Sequence, residues 1–264
     1  MAVGIIEHST SQWASPLVIV RKKDGSIRIT VDYKKLNAVS IVGKWPLPRI
    51  DEVLDVLGKG KIFSTFDVMS GFLQNAIDSD SVELPAFITP RGLYQHLRMP
   101  QGHSGEPSAF VRLMQIVIAG LQSVCMYLDD AIVFNRTSSL HVQSIREFLA
   151  RLEEHNLKLA PAKAIIGATK VAFLGHDISP SGVRPGPKKV EALAKMPMPT
   201  DVSQLRSLLG GLSYYRKSSP TWPSDLSLSL ICSSNEFLSV SQKTWKESLS
   251  LFCTNCVNPC LSVP

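Results

Sequence analysis

No apolar run in this 264-residue chain approaches the length of a bilayer-spanning helix. Its opening Met1-Ala2-Val3-Gly4 does not begin a signal peptide. A helical membrane anchor, a secretory leader and a membrane partner are therefore not expected. Histidine is sparse and scattered: His8, His96, His103, His141, His155 and His176 contain no pair at i, i+4, so no zinc site is expected. Cysteine is almost missing from the first 217 residues, where only Cys125 occurs, in a strand-like run that suits a small hydrophobe. There are no internal repeats. What is present is enough chain to bury a sizeable core, as one large domain or two small ones. The formal charge of +6 and pI near 9.1 suit a polyanionic partner, as they suit many unrelated proteins.

The most informative stretch is Tyr127-Leu128-Asp129-Asp130. Strand-like apolar residues flank it, Val124-Cys125-Met126-Tyr127 before and Ala131-Ile132-Val133-Phe134 after. Two such runs meeting at an acidic two-residue tip predict a β-hairpin. Adjacent carboxylates between buried strands are costly unless a positive charge sits on them. A divalent cation answers this, since Mg²⁺ favours one or two carboxylates plus substrate phosphates. Asp67, ending the strand-like run Ile62-Phe63-Ser64-Thr65-Phe66-Asp67, adds a third carboxylate. Carboxylates from separate strands are what two ions about 3.5–4 Å apart require in phosphoryl transfer. The alternative is local: Asp67 caps a helix begun by Met69-Ser70-Gly71, and Asp129 and Asp130 only make a tight turn.

Periodicity places the other elements. Residues 16–21 and 27–33 predict two strands joined by Lys23-Asp24-Gly25-Ser26. Residues 48–57 predict a helix stopped at Gly58. Pro107 opens a helix whose stripe Phe110, Leu113, Met114, Val117, Ile118 and Leu121 is core. Residues 140–155 predict a second amphipathic helix with Ile145, Phe148, Leu149 and Leu152 inward, and residues 171–178 a strand. Asp201 with Gln204 makes a capping-box start for a helix carrying Leu205, Leu208, Leu209 and Leu212.

Ten blocks then line up in one order. They are Trp13-Ala14-Ser15-Pro16, Lys22-Lys23-Asp24-Gly25, residues 31–37, residues 46–51, Phe66-Asp67 with Ser70-Gly71-Phe72, residues 89–94, Met99-Pro100-Gln101-Gly102, the Tyr-x-Asp-Asp box, Phe173-Leu174-Gly175-His176, and residues 205–210. From residue 4 to about 217 the chain resembles the reverse transcriptase of Ty3/gypsy-type LTR retrotransposons, a retroviral-like pol polyprotein fragment. The resemblance implies an α+β right-hand polymerase palm, an antiparallel sheet with packed helices. It implies partial fingers over 1–60, palm over 61–180 with an interleaved fingers segment at about 78–100, and the start of a thumb over 181–217. An upstream portion of the fingers is expected to be missing.

The implied activity is RNA-directed DNA polymerisation, adding dNTPs to a primer 3′-hydroxyl on an RNA or DNA template with two Mg²⁺ ions, Mn²⁺ substituting. Asp67, Asp129 and Asp130 are the implied catalytic metal ligands, Asp130 the weaker. Lys22 and Arg28 are implied to grip the triphosphate, with Lys23 an alternative to Lys22 and a solvated basic face the bland one. Gln101 is implied to touch the nucleotide. Phe72 either excludes a 2′-hydroxyl by sterics or is ordinary core. Phe173, Leu174, Gly175 and His176 match the primer grip, where Gly175 permits close backbone approach. Lys163 lies near the position of a proton donor to pyrophosphate, within a one-residue alignment slip. Glu106 departs from the usual small or apolar residue, and a carboxylate near the triphosphate repels substrate unless it points away. Leu84-Pro85 replace a common Lys-Thr pair. The family's setting is a cytoplasmic virus-like particle. Rival readings are an inactive retroelement remnant that at most binds nucleic acid, and an interaction domain with a metal-free acidic turn.

From Ser218 the composition changes: 12 of the last 47 residues are Ser, and Cys232, Cys253, Cys256 and Cys260 all lie there. A metal knuckle at Cys253-x-x-Cys256 is one reading. The codons open to residues 217–225, read one base earlier, permit Val/Ile-Leu/Phe-Pro-Asp-Met-Ala-Lys-Arg, the family's continuation after Tyr214-Tyr215-Arg216-Lys217. Residues 218–264 are thus expected to be an out-of-frame, disordered tail, the alternative being a lineage-specific Ser-rich one.

Overall fold

The computed structural model describes residues 4–21, 25–43 and 45–195, with Asp201, Ser203, Gln204, Ser207, Gly210 and Gly211 beyond them. Lys22, most of the helix expected after Asp201, and the whole of 218–264 with its cysteines lie outside the described residues. Two compact units divide between Thr169 and Lys170, and each is taken by itself.

The first unit contains two sheets. One has five strands in the order β1-β6-β5-β2-β3, where β1 is Ile6–His8, β2 Ser15–Arg21, β3 Ile27–Val31, β5 Phe87–Thr89 and β6 Gly92–His96. The expected ribbon is there: β2 and β3 pair antiparallel from Leu17↔Val31 to Arg21↔Ile27. Helix α1 (Lys34–Val39) follows, then α2 (Ile50–Leu57), which ends at Gly58 as the sequence predicts.

The second sheet carries the acids. Its order is β7-β8-β4-β9, with β4 Ile62–Asp67, β7 Val124–Tyr127, β8 Asp130–Asn135 and β9 Ile165–Ala168. Strand alternation sorts its side chains onto two faces. Phe66, Val124, Met126, Ala131 and Val133 share a buried cluster with Phe110, Met114 and Val117 of α3 (Glu106–Ile118) and with Phe148 and Leu152 of α4 (Ser138–Glu154). The stripe predicted for α3 is therefore core. On α4 the prediction needs one correction. Leu149 is 43% exposed, and a position buried in its place is His141, two turns earlier.

His141 anchors α4 through a polar network that the sequence did not reveal. Its Nε2 lies 2.7 Å from Ser64 Oγ, and its Nδ1 lies 3.0 Å from Asn135 Oδ1. Ser64 Oγ accepts from Gly167 N at 2.9 Å, and Asn135 Nδ2 donates to Ser123 Oγ and Ser144 Oγ. A Ser-His-Asn chain has the look of a nucleophile relay. Ser64 is fully buried, however, so no substrate reaches it. The network instead ties β4, β8, β9 and α4 together. Replacing His141 by Leu leaves buried polar partners unmet and should cost about 2–4 kcal/mol in denaturant unfolding.

The same burial sets a pH dependence. His141 is held below its ordinary 6.5 by burial, and His96 is pushed down to about 4 by burial. As pH falls below about 6.5 the unfolded chain takes up these protons and the folded chain does not. The stability they contribute is present above 6.5 and is lost as pH falls toward the folded values. Carboxylates raised by the fold act in the opposite sense, so the difference between variants isolates the histidine share. His96 packs on Phe87 with 4.9 Å between ring centroids, and its Nδ1 has no partner. His96→Phe should therefore unfold at a more constant temperature between pH 7 and 5 than the parent; an identical pH slope contradicts the assignment.

The second unit is described by a three-stranded antiparallel sheet, β10 Val171–Phe173, β11 His176–Ser179 and β12 Gly182–Pro185, followed by α5 (Pro187–Ala194). The single strand predicted over 171–178 is in fact broken by a tight turn at Leu174-Gly175, with φ of 48° and 76°. The expected cap on the later helix is made: Gln204 N donates to Asp201 Oδ1 at 2.8 Å.

Candidate active site

The hairpin β7–β8 presents the Tyr-x-Asp-Asp box, one residue displaced from expectation. Tyr127 pairs with Asp130, so the two-residue tip is Leu128-Asp129 and Asp130 already belongs to the strand. Leu128 takes φ 52°, a left-handed conformation uncommon for a bulky residue. Four non-glycine residues among those described have positive φ, and three of them (Ser70, Leu128, Leu174) lie in motif turns. Such strain costs on the order of 1–3 kcal/mol each and persists where the surroundings enforce it.

Strand register brings the carboxylates together. Asp67 and Asp130 are direct cross-strand partners, so both side chains stand on the sheet face opposite the helices. Like charges in that relation repel. Asp129 joins from the tip, its backbone fixed by Val68 N donating to Asp129 O at 2.9 Å. Asp67 is not a helix cap. It ends β4, and the following turn of 3-10 helix, Gly71–Gln74, begins from a left-handed Ser70.

One cation already answers the acids. Lys163 Nζ lies 2.9 Å from Asp67 Oδ2, and that contact raises the lysine's pKa. The turn that carries it, Pro161–Lys163, is held beside β4 by Ala160 N donating to Asp67 O at 2.8 Å. Burial, then the charges of Asp67 and Asp130, push the Asp129 carboxyl up, and Lys163 pulls it partly back. Asp130 is raised by burial and by Asp67. Asp129 Oδ1 is buried with no hydrogen-bond partner. Among the described residues no group of three or more His, Cys, Asp or Glu side chains is placed to hold a metal ion as it stands. The facing carboxylates of Asp67 and Asp130 and the partnerless Oδ1 of Asp129 are oxygen donors of the type that a hard divalent cation takes.

Around this centre stand the other expected residues of the first unit. Arg28 on β3 donates from Nη2 to Gln101 Oε1 at 2.6 Å, joining the ribbon to the Pro-Gln-Gly loop. Phe72 is half-buried, its ring meeting Phe110 edge-on at 5.2 Å. Lys22 lies outside the described residues. In the second unit, Phe173 and His176 are buried and anchor the turn whose tip is Leu174-Gly175. His176 Nδ1 lies 3.1 Å from Leu174 O across that turn. Beside this turn, Gly186 N donates to Gly175 O at 2.9 Å, and a Cβ on Gly186 would meet that oxygen at 2.8 Å.

Residues 20–178 match the family model for reverse transcriptase (RNA-dependent DNA polymerase). The chain belongs to the reverse transcriptase family. Its similarity to retrotransposon polyproteins is of the Ty3/gypsy type. It is 38% identical over 226 residues to the retrovirus-related Pol polyprotein from transposon 297 of Drosophila melanogaster, covering 83% of this chain and 21% of that protein. It is 34% identical over 221 residues to the Pol polyprotein from transposon gypsy of the same fly, covering 81% and 21%. The Tf2-3 polyprotein of Schizosaccharomyces pombe is 31% identical over 219 residues, covering 82% and 16%. The chain thus spans about a fifth of these relatives' length. Among solved structures, it is similar to the foamy viral protease-reverse transcriptase in complex with double-stranded DNA, at TM-score 0.81, 22% identity, 95% of this chain and 45% of that one. A second structure, of the foamy viral protein with an RNA/DNA hybrid, gives TM-score 0.75 at 22% identity over 94% and 34%. The fold is therefore an α+β polymerase palm fragment, as the motifs implied. No described helix is long and apolar enough to cross a membrane.

Two groups escaped the sequence. Asn37 clamps the Pro-Gln-Gly loop, donating to Gly102 O at 2.9 Å and accepting from Ser104 N at 2.8 Å. It sits in the motif block 31–37, which was the available signal. Glu106 is the second group. It was noted as a departure, but not as a loop ligand.

Proposed function

We propose that this chain is an RNA-directed DNA polymerase fragment that adds deoxynucleotides to a primer 3′-hydroxyl. The observation that carries this is the partnerless buried Oδ1 of Asp129 beside the cross-strand pair Asp67 and Asp130. Asp67 and Asp129 would hold the two divalent ions, Mg²⁺ or Mn²⁺, with Asp130 supporting their geometry. Once bound, such ions activate the attacking hydroxyl and neutralise charge on the leaving pyrophosphate. Lys163, in contact with Asp67, partly offsets the repulsion that raises Asp129 and Asp130. Arg28, with Lys22, offers fork and point charges to the triphosphate. Gln101, joined to Arg28, faces the sugar. The turn Leu174-Gly175 bears on the primer end. Template and primer are an RNA or DNA strand pair held by phosphate contacts and A-form shape. The resemblance to structures holding double-stranded DNA and RNA/DNA hybrid supports that partner class. In this reading residues 1–60 are partial fingers, 61–180 the palm with an interleaved fingers segment at about 78–100, and 181–217 the start of a thumb.

Primer extension on an RNA template with Mg²⁺ or Mn²⁺ tests the reading. Extension that stops on metal removal supports it. A folded chain that binds template-primer and extends nothing with either ion is the inactive remnant instead.

Phe72 offers a separate test. Its half-exposed ring suits a sugar gate, and its contact with Phe110 suits a core aromatic. Phe72→Val should raise rNTP use relative to dNTP, as a ratio of kcat/KM values, on the order of 10- to 100-fold. An unchanged ratio assigns the ring to packing.

A further inference from the structure

The Glu106 carboxylate was expected to repel a triphosphate unless it points away. In the structure it is engaged by the loop itself. Glu106 opens α3 and is only 6% exposed. Its Oε2 accepts from Gly102 N at 2.8 Å, reaching back across the loop that precedes the helix. Its own N donates to His103 O at 3.1 Å. The first turn of a 13-residue helix favours this negative charge. Gly102 takes φ 95°, which glycine adopts without steric cost but does not enforce, so the loop's path depends on the contacts that hold it. The residue just before Gly102 is Gln101, whose amide oxygen receives Arg28. Two clamps therefore hold one loop: Asn37 takes the carbonyl of Gly102, and Glu106 takes its N–H.

We propose that Glu106 is a positioning residue for the incoming nucleotide. Its carboxylate latches Gly102 so that Gln101 and Arg28 are presented together at the nucleotide-binding side of the palm. The residue type matters here, because a small or apolar side chain at this position has no acceptor to offer. The role rests on the polymerase reading above, and it acts on substrate capture rather than on the chemical step. The carboxylate acts through Gly102 N, the group it accepts from. A charge-free acceptor of the same length would serve the latch as well.

The test compares Glu106→Ala with Glu106→Gln. Amide hydrogen exchange of the loop peptide spanning 100–106 is read first, since it needs no activity. The latch predicts faster exchange in Glu106→Ala and near-parental exchange in Glu106→Gln. Steady-state extension is read second. KM for dNTP should rise about 5- to 10-fold in Glu106→Ala, with kcat and template-primer affinity changed less than about twofold, and Glu106→Gln should recover most of the KM. Adding Gln101→Ala to Glu106→Ala should raise KM little further, because both act through one loop. Equal exchange in all three proteins overturns the latch whether or not the chain polymerises. Faster exchange with unchanged KM, or a parallel fall of kcat, KM effect and thermal midpoint, overturns the positioning role. A parent that extends no primer overturns the polymerase reading and the substrate half of this proposal, while exchange still decides the latch.

Discussion

Asp129→Asn should reduce nucleotide incorporation by more than about 10³-fold, a barrier increase on the order of 4 kcal/mol, while template-primer affinity stays within a few fold. The side chain keeps its size and loses the charge that a divalent ion requires. The same substitution should raise the thermal midpoint of the metal-free protein. In the folded chain Asp129 is burdened by burial and by two neighbouring carboxylates, so its charge opposes folding near neutral pH. An amide there offers N–H donors to those carboxylates. Gain of stability with loss of activity is the signature of a group kept for chemistry rather than for the fold. Asp67→Asn should lose incorporation similarly, and it also frees Lys163, whose ammonium sits 2.9 Å from Asp67 Oδ2. Asp130→Asn should lose less, since it supports geometry. Calorimetric Mg²⁺ or Mn²⁺ titration, single-nucleotide incorporation and thermal unfolding check the three effects separately. Full incorporation by either the Asp67 or the Asp129 variant removes the two-ion assignment.

The parts of this site that were legible in the sequence are those fixed by local pattern. Alternation around Tyr127 and Ala131 announced the hairpin, and the terminal acid of β4 announced a third carboxylate. Register was not legible. Whether Asp67 faces Asp130 or its neighbour depends on pairing across more than 60 residues, and a slip of one would move Asp67 to the helix face. The tip was misplaced by one because a leucine at φ 52° violates the turn chemistry that sequence reasoning assumes. The break at Leu174-Gly175 was missed as a strand end for the same reason. On α4 an apolar count favoured Leu149, and a buried histidine won because Ser64 and Asn135 lie on the facing strands to receive it. Hydrophobicity scales cannot anticipate a polar residue whose partners come from two other elements. Glu106 shows the converse. Read as a charge near phosphates it argued against function, and its meaning changed once its acceptor role at Gly102 was seen.

Gly71 carries the second large expected effect, and its reason is space, not backbone freedom. The left-handed residue of this turn is Ser70, at φ 49°. A Cβ on Gly71 would lie 2.6 Å from Asp129 Oδ1 and 2.6 Å from Phe110 Cζ. Both are closer than any real contact allows, so one neighbour must move. Phe110 is fully buried in the cluster beneath the sheet, and shifting its ring overpacks the core at about 1–3 kcal/mol. Moving the carboxylate instead displaces a proposed metal ligand, and a misplacement near 1 Å can cost about 10²-fold in rate. Gly71→Ala should therefore lose about 10²-fold in incorporation and unfold at a lower denaturant midpoint. Phe110→Leu opens room on one side only. In the Gly71→Ala/Phe110→Leu double variant, activity that recovers together with stability means the ring was the obstacle. Stability that recovers while incorporation stays low means the Asp129 carboxylate was displaced, which is the outcome expected, because the Asp129 backbone is held by the strained tip and by Val68 N, so the side chain must swing rather than retreat. A Gly71→Ala protein with parental incorporation and parental stability would show that the carboxylate and ring yield at no cost, and that Gly71 does not shape the site.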